Sequence, residues 1–131
     1  AWLWSSPAIA ADGTVYIGSH IGSIAFLTAL NPDGTRKWST EDTGRAHLPG
    51  AWLWSSPAIA ADGTVYIGSH IGSIAFLTAL NPDGTRKWST EDTGRAHLPG
   101  AWLWSSPAIA ADGTVYIGND GSDNGFLTAV K

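Results

Sequence analysis

Apolar positions come in short runs broken by turn residues, and the spacing of the runs predicts strands rather than helices. Ser6-Pro7-Ala8-Ile9-Ala10 is the first run, Thr14-Val15-Tyr16-Ile17 the second, Phe26-Leu27-Thr28-Ala29-Leu30 the third and Thr35-Arg36-Lys37-Trp38-Ser39 the fourth. In the second run Val15 and Ile17 fall on one face of an extended chain and Thr14 and Tyr16 on the other. Asp12-Gly13 between the first two runs predicts a tight hairpin, because glycine takes positive φ without a steric penalty. Asn31-Pro32-Asp33-Gly34 predicts a type I turn closed by a glycine bulge. The fourth run is more polar, as an outer strand is, and its charges discourage edge-to-edge pairing. Sixteen glycines and seven prolines leave no apolar stripe at helical spacing.

The pattern then repeats. Residues 1–50 and 51–100 are identical, 101–118 repeat the opening again, and the copy diverges before Lys131. A period of 50 residues signals an array of stacked units. Each unit reads as a four-stranded antiparallel meander, and its first three strands carry apolar residues on both faces. Such sheets bury both faces against neighbours. The predicted fold is therefore all-β, with β-propeller blades: blade 1 over 1–50, blade 2 over 51–100 and a truncated blade 3 over 101–131 that lacks its outer strand. A parallel β-helix is the structural rival, but its coils do not need these hairpin turns. Identity over a whole repeat points to a designed chain or a recently amplified one. It also argues against catalysis, since an active site needs different groups at different places.

The string Ser5 to Gly18 (SSPAIAADGTVYIG), followed by Leu27 to Trp38 (LTALNPDGTRKW), resembles the PQQ-like propeller repeat of quinoprotein dehydrogenases and outer-membrane assembly lipoproteins. The resemblance implies that an alanine of the third strand and a tryptophan of the fourth dock against the next blade. Ala29 with Trp38 and Ala79 with Trp88 look like such pairs, and Ala129 keeps the first half of a third. The enzymatic relatives hold pyrroloquinoline quinone with calcium, using acids and often a vicinal cysteine pair that occur once per ring. This chain has no cysteine, and its acids recur in Asp12 and Asp33 of the hairpin turns or in Glu41-Asp42. The reading is accordingly no enzyme and no cofactor. The parent family is often periplasmic or secreted; the chain itself does not indicate a compartment.

Charge narrows the partners. Net charge is −4 from eleven acidic and seven basic residues, with no basic cluster to serve as a nucleic-acid footprint. No apolar run reaches the ~18 residues of a membrane-spanning helix. The segments Ser19–Ala25 and 41–54 read as the long loops, and a meander places both on one rim. His20, His47, His70 and His97 would then share that rim with Trp2, Trp4, Trp52 and Trp54, forming a candidate ligand face for a sugar or a protein. Solvated histidines, and tryptophans wedged between blades, are the plainer reading. No histidine has a second histidine or a carboxylate at metal-site spacing. The divergent stretch Asn119-Asp120-Gly121-Ser122-Asp123-Asn124-Gly125 lacks a calcium loop's terminal glutamate and reads as a solvated polar turn.

The function these features predict is a non-catalytic scaffold that assembles with itself into a closed ring. A homodimer of six blades is favoured and a homotrimer of nine comes next. The alternative is a sugar- or protein-binding propeller module of a secreted or periplasmic protein. Phe126–Val130 is predicted to be an open strand edge.

Overall fold

The computed structural model describes residues 5–22, 24–42, 48–50, 53, 55–72, 74–92, 98–99, 103, 105–121 and 123–131. They contain eleven strands and no helix: β1 (Ala8–Ile9), β2 (Val15–Ile21), β3 (Ile24–Leu30), β4 (Arg36–Ser39), β5 (Ala58–Ile59), β6 (Val65–Ile71), β7 (Ile74–Leu80), β8 (Arg86–Ser89), β9 (Ala108–Ile109), β10 (Val115–Asp120) and β11 (Gly125–Val130). The strands form three antiparallel meanders, β1-β2-β3-β4, β5-β6-β7-β8 and β9-β10-β11. In the third sheet β11 pairs with β10 alone and is an edge.

Two turns of the same chemistry set the register in each four-stranded sheet, and the first of them recurs in the third sheet. Gly13 (φ +88°) and Gly34 (φ +89°) take the left-handed conformation that closes a bulged turn. Gly13 N–H donates to Ala10 O and Gly34 N–H to Asn31 O, each at 2.9 Å. The preceding aspartate caps each turn: Asp12 Oδ1 accepts from Thr14 N–H at 3.0 Å and Asp33 Oδ1 from Thr35 N–H at 2.9 Å. The Thr14 amide holds the Asp12 carboxyl below its ordinary pKa, and the Thr35 hydroxyl, donating to Asp33 Oδ1 at 2.6 Å, together with the Thr35 amide does the same for Asp33.

The central hairpin is longer than the sequence suggests. Pairing continues past Ile17 through His20↔Ala25 to Ile21↔Ile24, so most of the expected Ser19–Ala25 loop is strand. Small and polar residues made this segment look like a loop, but it is paired strand whose His20 and Ala25 are buried. In the third repeat Asn119 and Asp120 likewise belong to β10 and Gly125 to β11, so three of the seven residues read as a solvated turn are paired strand. The first strand is shorter than expected, two residues instead of the run from Ser6 to Ala10.

Adjacent sheets pack through two apolar clusters that are translations of each other along the sequence. The first joins Tyr16, Leu27, Ala29 and Trp38 of sheet 1 to Val65, Ile67 and Leu80 of sheet 2, with Leu48 and Leu53 of the connecting segment between them. The second joins Tyr66, Leu77 and Ala79 to Val115 and Ile117, with Leu98 and Leu103 between them. Fully burying one such side chain contributes about 1.5–3 kcal/mol. Along the first strands a serine ladder adds direction: Ser6 N–H donates to Ser56 Oγ at 2.8 Å, and Ser56 N–H to Ser106 Oγ at 2.9 Å.

Candidate functional site

Identical strands have different environments, and the difference locates the site. In β2, burial alternates: Tyr16, Gly18 and His20 are buried, while Val15, Ile17 and Ser19 are half-buried. In β6 every residue from Val65 to His70 is buried. In β10 the alternation reverses, with Val115, Ile117 and Asn119 buried and Tyr116 and Asp120 exposed. Each sheet thus has one face toward the preceding repeat and one toward the following repeat. The middle sheet covers both, and each outer sheet leaves one open. Leu27 and Leu77 are 0% exposed, whereas their equivalent Leu127 is 77% exposed. Tyr116, on the same face as Leu127, is exposed on the third sheet, and Ile9 is 71% exposed on the first. Apolar side chains concentrated on an open sheet face mark an interaction surface.

Ala29 lies opposite Trp38 across the β3–β4 ladder, and Ala79 opposite Trp88. Trp38 is buried, its ring 5.9 Å from that of Tyr16, and its Nε1–H donates to Pro82 O of the next repeat at 3.0 Å. Trp88 is half-buried and stands 5.9 Å from Tyr66. Ala129 pairs with Tyr116 in β11 and is exposed on the open face.

The histidines require a correction. His20 and His70 are not loop residues; they lie in β2 and β6 and are buried, facing the following repeat. Burial pushes both imidazoles below their ordinary pKa, since desolvation penalises the charged form. Trp2, Trp4, His47, Trp52, Trp54 and His97 lie outside the described residues. Among the described residues no three His, Cys, Asp or Glu side chains group to hold a metal ion, and no helix is long and apolar enough to cross a membrane.

Sequence reasoning missed the role of Gly18 and Ser5. Gly18 N–H donates to Ser5 Oγ at 3.0 Å, and the same pair recurs as Gly68 with Ser55 at 3.1 Å and Gly118 with Ser105 at 3.0 Å. The signal was present in the sequence: a glycine inside a strand marks a close approach. A scan against family models and a search of the curated proteins returned no match for this chain.

Proposed function

We propose that this chain is a non-catalytic repeat scaffold of the β-propeller type that assembles head to tail with copies of itself into a closed ring. The observation that carries this reading is the complementarity of the two open faces. The third sheet exposes the positions that sheets 1 and 2 bury against their successors, and the first sheet half-exposes the positions that sheets 2 and 3 bury against their predecessors. A head-to-tail contact of this kind closes when its rotation closes. Two copies bring six sheets and are favoured, because two-fold assemblies are the commonest; three copies bring nine. Light scattering at micromolar concentration tests the reading, with a mass of twice or three times that of the chain expected. A monomer refutes it.

A second reading has one observation in its favour. Ile21, Ile24, Ile71 and Ile74 are exposed at the tips of the β2–β3 and β6–β7 hairpins. They suit a protein-binding rim, which a pull-down with and without Ile21→Ser and Ile71→Ser would detect.

A further inference from the structure

Both internal interfaces close with the same fitting. Leu53 and Leu103 are fully buried, and each lies over a glycine of the preceding sheet. A Cβ on Gly18 would stand 2.3 Å from Leu53 Cδ2, and one on Gly68 would stand 2.3 Å from Leu103 Cδ2. Only glycine leaves room for the leucine. Gly118 has the same surroundings within its own sheet: its N–H donates to Ser105 Oγ at 3.0 Å, and Ser105 Oγ–H donates to Gly118 O at 2.5 Å. Yet nothing comes closer than 3.4 Å to a Cβ built there. Over it opens a cleft of about 580 Å³, lined among others by Ser105, Gly118, Gly125, Phe126 and Leu127.

Resting on the head-to-tail reading, we infer that this cleft is a leucine seat and that its occupant is Leu3 of a second copy. Residues 1–18 repeat 51–68 and 101–118 without change, so Leu3, which lies outside the described residues, holds the repeat position of Leu53 and Leu103. The second copy's first sheet brings Val15, Ile17 and Leu30 to the places that Val65, Ile67 and Leu80 fill at the first internal interface. The serine ladder continues in the same direction, with Ser106 N–H donating to Ser6 Oγ of the second copy. The seam departs from the internal interfaces in two ways: the third sheet offers three strands where the others offer four, and Asp120 stands where the other repeats have His20 and His70. A docked copy closes over a carboxylate there, and burying that charge opposes docking. The seam is therefore weaker than the interfaces within the chain.

Sedimentation over a concentration series separates the two levels of the reading. Gly118→Val fills the seat and Leu3→Ala removes its occupant; each weakens association at least about thirtyfold, the low end of what truncating a buried leucine costs. Asp120→His restores the residue of the internal interfaces and tightens association. Circular dichroism checks that Gly118→Val keeps its fold; Leu3→Ala, at the opposite end of the chain, carries the test if it does not. Unchanged association in both variants overturns the leucine seat and leaves head-to-tail assembly through other contacts. A wild-type chain that stays monomeric overturns both.

Discussion

Trp38 and Trp88 occupy the same place in identical repeats, so truncating each one measures environment alone. Trp38 is 4% exposed, packs against sheet 2 and donates its indole N–H to Pro82 O. Trp38→Ala therefore loses a buried ring, about 3–5 kcal/mol, and a hydrogen bond of about 1 kcal/mol. Trp88 is only half-buried. A partly exposed ring gives up less burial, so Trp88→Ala costs roughly half as much. For a chain of this length 1 kcal/mol corresponds to about 3–5 °C in Tm, which puts the Trp38→Ala shift at about 12–30 °C. Urea unfolding followed by circular dichroism measures both variants, at one fixed protein concentration because assembly makes stability concentration-dependent. Trp38→Phe separates the hydrogen bond from the ring. Equal costs at the two sites, or a cost under about 1 kcal/mol for Trp38→Ala, would refute this account of sheet-to-sheet packing.

Gly68→Ala forces a methyl into Leu103, itself fully enclosed and unable to swing away; urea unfolding should show a loss of about 1–3 kcal/mol, while Gly118→Ala, measured at a concentration where the chain does not associate, stays within about 0.5 kcal/mol. Thr40 Oγ1 accepts the buried Leu27 N–H at 3.0 Å, so Thr40→Val strands that donor and costs about 1–3 kcal/mol in the same assay. Because His20 and His70 have folded-state pKa values below the ordinary 6.5, the unfolded chain binds more protons as the medium acidifies. Their neutral-state stability is complete above pH 6.5 and declines below it; Tm measured from pH 7.5 to 5 should fall, and fall less in a His20→Gln, His70→Gln chain. Asp12, Asp33, Asp62 and Asp112, all depressed below 3.8 by turn hydrogen bonds, lose their contribution only at still lower pH and do not account for that slope.

Turn chemistry and period are local properties, and they were legible in the chain. Aspartate before glycine specifies the two bulged turns, because an aspartate oxygen caps the next amide and glycine alone takes the positive φ without strain. The 50-residue identity specifies three like units, and polar residues on β4 mark an outer strand. What a repeated sequence cannot encode is any difference between its copies. Leu27, Leu77 and Leu127 are the same residue in almost the same local sequence, and only the presence or absence of a following sheet decides that two are buried and the third is open. His20 shows the same limit from another side. The Ser19–Ala25 segment looks like a loop, yet it is paired strand, and His20 is buried because sheet 2 lies against its face. Strand length, side-chain burial and the open leucine seat at Gly118 all depend on a neighbour 50 residues away. Local sequence sets which way each face points; only packing decides whether that face meets another sheet or water.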